Sequence, residues 1–83
     1  MVKRDRVQIM SSILNTCISG ANKTRIVYQA NLNFRTVNPY LHLLVKSDLI
    51  TVSNSGTVTY TTTPKGEDFI DKLACLDEML YQI

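Results

Sequence analysis

The chain has 83 residues, of which 45% are hydrophobic and 19% are charged, and its formal net charge at pH 7 is +2. This length predicts one small domain with a modest core, and without an apolar run near ~20 residues the sequence predicts neither a membrane span nor a signal peptide. Neither cysteine belongs to a C-x-x-C pair, so a zinc site or disulfide framework has little support, and we expect Cys17 and Cys75 to be buried thiols in a reducing cytosol.

The charge is unevenly distributed along the chain. Residues 1 to 65 carry eight Lys and Arg against two Asp, a net charge of +6. Residues 66 to 83 carry one Lys against five Asp and Glu, a net charge of −4. A cationic body with an anionic tail predicts a polyanion as the partner of the body and a different role for the tail.

The N-terminal part of the chain predicts two helices. The first, over residues 5 to 19, ends before Gly20 and has an apolar face at helical spacing that contains Val7, Met10, Ile13, Leu14, Cys17 and Ile18. Ala21 and Asn22 leave room for only a very short extended piece. A second helix over residues 23 to 30 follows, because Asn22 is a favourable N-cap and the segment has an apolar side formed by Ile26, Val27 and Ala30.

The third predicted helix contains a proline. Its N-cap is Asn33, it ends near Ser47, and its apolar face comprises Phe34, Val37, Leu41, Leu44 and Val45. A proline in a helix interior removes one hydrogen bond and can cost ~3 kcal/mol, so a shorter helix that begins at Pro39 behind Asn38 is an alternative. We favour a continuous, kinked helix, because the apolar positions keep one face across the proline.

The chain then changes to a β pattern. Leu49 to Ser53 and Thr57 to Thr62 are rich in β-branched residues and flank the turn Asn54-Ser55-Gly56, so they predict a hairpin. Pro64 suits the first turn of a last helix that runs to the C-terminus. Three helices, a β-hairpin and a closing helix form the order of a winged helix-turn-helix domain. In this mainly α fold the third helix lies in the DNA major groove and the two-stranded hairpin is the wing.

The first turn of the second helix carries two cations, Lys23 and Arg25. The helix dipole disfavours a positive charge there by roughly 0.3–1 kcal/mol for each exposed cation. In a winged helix this helix start lies near a DNA phosphate, which would accept the unpaired N–H groups and both charges. We therefore interpret Lys23, Thr24 and Arg25 as phosphate contacts, the alternative being that the cations are simply solvated.

Two stretches of the sequence resemble a known family. GANKTRIVYQANLNFRTVNPYLHLLVKSDLI is similar to the helix-turn-helix of small archaeal winged-helix nucleoid and regulatory proteins, and YTTTPKG is similar to the segment that closes their wing. The resemblance covers roughly residues 5 to 70. Two positions depart from the family pattern: Asp48 stands where a Gly usually precedes Leu-Ile, and Pro39 interrupts the third helix.

The resemblance implies a partner and an assembly. Double-stranded DNA is the implied partner, and the implied assembly is a homodimer joined by antiparallel pairing of the last helices. It also implies a division into a winged helix-turn-helix domain, residues 1 to 66, and a continuous C-terminal dimerisation helix, residues 67 to 83.

The outer face of the third helix carries side chains that can read bases. Arg35 suits guanine O6 and N7, Asn38 suits adenine N6 and N7, and Thr36 suits a thymine methyl group or a phosphate. Lys46, near the helix end, suits a phosphate or complements the helix dipole. The predicted DNA-facing set of this helix also includes Asn33 and His42. The alternative interpretation is the ordinary polar surface that any exposed helix needs.

The wing tip carries no cation. Its predicted contacts to phosphate therefore rest on the hydroxyl, amide and backbone N–H groups of Ser53, Asn54, Ser55 and Thr57. The sequence contains no nucleophile motif, no phosphate-cradling glycine loop and no metal-ligand cluster. We therefore expect no catalytic residues, no metal, no cofactor and no small-molecule substrate.

The acidic tail has a heptad pattern. Its apolar residues are spaced 4, 3, 4 and 3 positions apart, as in a coiled-coil seam: Phe69, Leu73, Leu76, Leu80 and Ile83. We interpret these residues as a homodimer interface. The alternative is a last helix that packs only on its own domain.

Three functional classes follow from these features. A dimeric DNA-binding protein of the cytoplasm, either a transcriptional regulator or a nucleoid component, accounts for the cations, the third helix and the tail. A winged-helix protein–protein interaction module would explain the apolar tail but not the cations of the second helix. An enzyme is disfavoured by the lack of a catalytic constellation in the sequence.

Overall fold

The computed structural model describes the backbone of residues 6–81 and the side chains of residues 6–75. Within these residues the chain forms three helices, α1 (Arg6–Thr16), α2 (Lys23–Ala30) and α3 (Phe34–Lys46). An antiparallel hairpin of β1 (Ile50–Asn54) and β2 (Val58–Thr62) follows, and α4 (Pro64–Tyr81) closes the fold. The predicted fold class, mainly helical with a two-stranded hairpin in winged-helix order, is confirmed.

Asparagine side chains fix the starts of α2 and α3. The Oδ1 atom of Asn22 accepts a hydrogen bond from the backbone N–H of Arg25 at 2.8 Å, and that of Asn33 accepts one from Thr36 at 2.7 Å. Each bond satisfies an N–H group that the helix leaves unpaired. Asn31 ends α2 in the left-handed region at φ 55°, which asparagine tolerates better than most residues. Both predicted caps are confirmed.

Helix α3 runs through its proline. It extends from Phe34 to Lys46 with Pro39 inside, so the alternative of a helix beginning at Pro39 is wrong. The core is built on both sides of the proline by Val37, Leu41 and Leu44. Two residues of the predicted apolar face are exposed instead, Phe34 by 51% and Val45 by 37%. Successive residues advance by about 100° around a helix, and these two lie at the edge of the arc that faces the core.

The hairpin is extended by one short segment on the far edge of β2. β1 and β2 pair with Val52 opposite Tyr60. On the other side of β2, Ala21 and Tyr60 exchange two backbone hydrogen bonds of 2.9 and 2.8 Å. The preceding Gly20 has φ 87°, a conformation that favours glycine. The very short extended piece predicted after the first helix is therefore confirmed.

Helix α1 ends at Thr16, three residues earlier than predicted. The carbonyl of Cys17 accepts hydrogen bonds from the backbone N–H of Gly20 at 3.0 Å and of Thr62 at 2.9 Å. This carbonyl therefore closes a turn and holds the end of β2, which does not allow another helical turn. The two strands begin one residue later than predicted, at Ile50 and Val58.

One hydrophobic core joins α1, α2, α3 and β1. Its fully buried side chains are Ile13, Leu14, Cys17, Ile26, Val37, Leu44 and Ile50. The buried hydroxyl of Thr62 donates a 2.6 Å hydrogen bond to the carbonyl of Leu14 and so ties β2 to α1. Leaving such a buried polar group unpaired costs ~1–3 kcal/mol, so this bond also fixes how the wing sits on the helices.

The junction between β2 and α4 explains the segment YTTTPKG. The Thr63 hydroxyl donates to the carbonyl of Asp48 at 2.8 Å and accepts from the N–H of Gly66 at 3.0 Å. A Cβ atom on Gly66 would collide with the Leu49 carbonyl oxygen and lie 2.6 Å from Thr62 Cγ2. Asp48 itself is left-handed at φ 63°, which accounts for the glycine that the resembling family uses there.

Several predicted core residues are exposed. Both cysteines are free thiols, and Cys17 is buried as predicted, but Cys75 is exposed, so that part of the prediction is wrong. Cys75 lies two positions beyond the buried Leu73, which places it about 200° around the helix, on the other side of α4. Val7 and Ile18 of the predicted apolar face of the first helix are likewise 44% and 43% exposed.

Candidate nucleic-acid interface

The N-terminus of α2 presents positive charge to solvent. Thr24 and Arg25 are exposed and Lys23 is half-buried. Neither cation forms an ion pair with any residue whose side chain the structure describes. Because the dipole of α2 adds partial positive charge at the same end, this helix start is an environment that favours a bound anion. The structure thus brings together all three residues predicted here.

The positive charge of Arg25 also acts on the buried thiol of Cys17. Burial raises the pKa of the Cys17 thiol from 9.0 to about 11, and the positive charge of Arg25 opposes that rise. Arg25 is therefore close to Cys17, the residue that follows the end of α1.

The outer face of α3 carries all the residues predicted to read bases. The exposed polar side chains on this helix and its cap are those of Asn33, Arg35, Thr36, Asn38, His42 and Lys46. The Oδ1 atom of Asn33 is committed to capping α3, which leaves its NH₂ group for a partner. No acidic residue occurs in α2 or α3. This surface is therefore polar, cationic and uncompensated by local negative charge.

The space between α3 and the wing brings two of these residues beside the hairpin. A depression of about 250 Å³ is lined by Asn38, Leu41, His42, Val45, Val52 and Tyr60. The predicted wing-tip residues Ser53, Asn54, Ser55 and Thr57 are exposed but do not line it. The hairpin carries no charged side chain, so any wing contact would rest on hydroxyl and amide groups.

A second depression, about 390 Å³, lies on the opposite flank of α3 and was not predicted. It is lined by Arg6 and by Thr36, Pro39, Tyr40 and Leu43 of α3. Leu43 is 49% exposed. It lies between His42, which was predicted for the outer face, and Leu44, which was predicted for the core. The sequence does contain a signal, because Leu43 precedes the buried Leu44 by one position and therefore lies about 100° away from the core-facing side.

The predicted dimer seam is only partly within the described side chains. Phe69 is half-buried against the core of its own chain, and Leu73 is buried within the same chain. Leu76 and Leu80 belong to α4, but their side chains lie outside the described part, and Ile83 lies outside the described residues altogether. The seam remains a prediction.

Helix α4 carries an exposed ion pair. Among the described side chains the ion pair present joins Lys72 to Asp68 at 3.0 Å on α4, where both are exposed. Within the described residues there is no group of three His, Cys, Asp or Glu residues placed to hold a metal ion. In that same part of the chain no helix has the length and apolar character needed to cross a membrane.

A helix-turn-helix followed by a two-stranded wing and a closing helix defines a winged-helix domain. The family model for the winged helix-turn-helix matches residues 3–81, and the chain belongs to that family. Over 81 residues it is 33% identical to an uncharacterised protein of Methanocaldococcus jannaschii. That match covers 96% of this chain and 37% of the relative, so the chain spans little more than a third of the relative's length.

Two solved structures share the fold. The chain is similar to Sso10a-2, a DNA-binding protein from Sulfolobus solfataricus, with a TM-score of 0.81, 29% identity, and coverage of 95% of this chain and 87% of that one. It is also similar to BpsR of Bordetella bronchiseptica, whose DNA binding is regulated by 6-hydroxynicotinic acid. Here the TM-score is 0.77, and the match covers 96% of this chain and 59% of BpsR. Because the identity is only 21%, this likeness concerns the fold alone.

Proposed function

We propose that this protein binds double-stranded DNA with α3 in the major groove and acts as a transcriptional regulator or nucleoid-associated protein. The observation that carries the proposal is the cationic surface shared by α2 and α3. Lys23, Arg25 and Arg35 form no ion pair with described residues, and the two helices contain no acid. A protein surface with uncompensated cations on a helix-turn-helix suits a polyanion. The similarity to a DNA-binding protein of Sulfolobus solfataricus supports the same conclusion.

The two helices have different tasks in this proposal. The start of α2 contacts a phosphate through its backbone N–H groups, Lys23, Thr24 and Arg25, and so positions the domain on the duplex. The outer face of α3 contacts base edges, with Arg35 on guanine and Asn38 on adenine. Lys46, in the last turn of α3, contacts phosphate or complements the helix dipole. His42 and the wing tip add polar contacts.

Substitutions separate positioning from reading. Arg35→Ala or Asn38→Ala should weaken binding to a preferred site by ~1–3 kcal/mol and change binding to random duplex little. Lys23→Ala should weaken binding to both duplexes alike. Fluorescence anisotropy with a selected site and a scrambled duplex measures both effects. If all three variants bind like the wild type, α3 and α2 are not the docking face, and a protein-interaction module becomes the better account.

We further propose that two chains pair through α4. The a and d positions Leu76 and Leu80 continue the apolar line that begins at Phe69 and Leu73, and such a strip usually marks an interface. Pairing would fix the separation of two α3 helices, so two half-sites would lie about one helical turn or a multiple of it apart. The acidic residues of α4 would then point away from DNA.

Sedimentation tests the pairing. Leu76→Glu with Leu80→Glu places two charges in the seam, where each unpaired buried charge costs several kcal/mol, so the variant should be monomeric and still folded. Asp71→Ala, on an exposed position of the same helix, is the matched control and should leave the mass unchanged. A wild-type protein that is monomeric at tens of micromolar would show that α4 packs only on its own domain.

A further inference from the structure

We infer that the flank of α3 formed by Thr36, Pro39, Tyr40 and Leu43 recognises the C5 methyl groups of thymine. The inference rests on the proposed DNA binding and adds a source of base preference to it. These residues, here called the α3 flank, line the larger of the two depressions beside α3. The hydrogen-bonding face of α3 contributes Arg35 and Asn38, whereas the α3 flank contributes apolar and methyl groups. The two faces would therefore read different features of a base pair.

The α3 flank is one continuous strip. Its members recur at i, i+3, i+4 and i+7, the spacing that places side chains on one side of a helix over two turns. Thr36, Pro39 and Leu43 are exposed and Tyr40 is half-buried. Leu43 keeps 49% of its surface accessible in the middle of a helix that otherwise buries its leucines. An apolar side chain that is exposed at this position is available to contact a binding partner.

The position of the α3 flank suits contact with base edges at one side of a major groove. Thr36 follows Arg35 and Leu43 follows His42 in the sequence, so each lies about 100° around α3 from the residue before it. An α-helix with side chains is about 10–12 Å across and the major groove is about 12 Å wide. A helix that points Arg35 and His42 at the groove floor therefore brings Leu43 against one side of the groove, where thymine methyl groups project.

The charge around the depression favours DNA over an apolar protein partner. The residue that completes the lining is Arg6 of α1, which is exposed. None of the described residues that line the depression is acidic. A rim that carries a cation beside an apolar floor matches a phosphate beside a thymine methyl, and it continues the cationic surface of α2 and α3.

Replacing thymine by uracil tests the inference without any change to the protein. The two bases offer the same hydrogen-bonding atoms and differ only in the C5 methyl group. The probes are a short duplex of alternating A·T pairs and the same duplex with every thymine replaced by uracil, titrated by anisotropy at one salt concentration. We expect wild-type protein to bind the thymine duplex about four-fold more tightly if one methyl is contacted and about fifteen-fold if two are, from the transfer of one methyl-sized group each.

Substitution of Leu43 assigns the effect to the α3 flank. Leu43→Ala should reduce the thymine-to-uracil ratio to below about two-fold, whereas Leu43→Met, which keeps the apolar volume, should retain it. Because Leu43 is half-exposed, both variants should fold, and circular dichroism checks this.

Each outcome has a distinct meaning. A wild-type ratio near one, with salt-sensitive binding to both duplexes, would overturn the methyl inference and leave DNA binding intact. The full ratio in Leu43→Ala would overturn it as well, since the preference would then have another source. If neither duplex is bound at low salt, the proposed function itself fails, and a change in sedimentation of Leu43→Ala would identify the α3 flank as a protein contact.

Discussion

Removing the two cations at the start of α2 should make the protein more stable and a weaker DNA binder. Lys23→Ala and Arg25→Ala leave the backbone of the cap in place, because the 2.8 Å bond from Arg25 to Asn22 uses the main-chain N–H. The substitutions therefore remove charge and little else. Alanine is also at least as good a helix former as either residue.

The gain in stability follows from the helix dipole. Each exposed cation at a helix N-terminus costs roughly 0.3–1 kcal/mol of folding free energy. Arg25 is exposed, and solvent screens its charge, so we expect a cost near the lower end of this range. The double variant should then gain roughly 0.5–1 kcal/mol in the free energy of unfolding. For a domain of this size that corresponds to a rise in Tm of about 2–8 °C.

The loss in binding follows from the phosphates. With two fewer phosphate contacts in each protomer, the slope of log K against log salt should become less steep by about 1.8 per protomer. Urea denaturation and duplex anisotropy measure the two effects on the same samples. Lys65→Ala is the matched control, because Lys65 is an exposed cation in the first turn of α4, at the end of the hairpin away from its tip. It should share the small gain in stability and leave binding unchanged.

Two results would refute this reasoning. If the double variant loses more than about 1 kcal/mol in the free energy of unfolding, the two cations stabilise the fold, and the helix-dipole argument is wrong. If its salt slope equals that of the wild type, α2 does not contact phosphate. If Lys65→Ala weakens binding as much as the double variant does, the loss of DNA affinity is due to net charge alone.

Two further predictions concern the fold. Gly66→Ala should destabilise the protein by about 1–3 kcal/mol or more in urea denaturation, because its Cβ would collide with the Leu49 carbonyl, and an unchanged midpoint would contradict this packing. Because burial raises the pKa of Cys17 to about 11, the folded state holds the proton more tightly than the unfolded chain. The resulting stability is fully present below pH 9.0 and is lost as the pH rises through about 11, while a thiol reagent at neutral pH should label exposed Cys75 and spare Cys17.

The element order could be predicted because local signals agree with the fold. Asn22 and Asn33 cap α2 and α3 with side-chain bonds to residues three positions later, a pattern that can be read from the sequence. The core positions around Pro39 likewise keep their helical spacing, which is why a continuous helix was the better prediction. The end of α1 was not predictable, because the carbonyl of Cys17 is held by Thr62, which is distant in the sequence.

The exposed apolar residues could not be predicted from periodicity alone. A helical pattern identifies the centre of an apolar face but not its width, which depends on how far the neighbouring elements reach around the helix. Phe34 and Val45 lie just beyond that reach, and Leu43 lies well outside it. Cys75 was expected to be buried for the same reason, yet it lies on the side of α4 opposite the buried Leu73. The predicted polar residues of α2 and α3 were easier to place, because every one of them is at least partly accessible.

The most direct test of the central claim is the salt dependence of binding to random duplex DNA. With three to five phosphate contacts per protomer, log K should fall linearly with log salt, with a slope of about −3 to −5 for one chain and about −5 to −9 for a dimer. Titration at several salt concentrations with wild-type protein gives the slope without any substitution. A slope in this range supports a DNA-binding surface built by α2 and α3, and a slope near zero or no binding at low salt would contradict it.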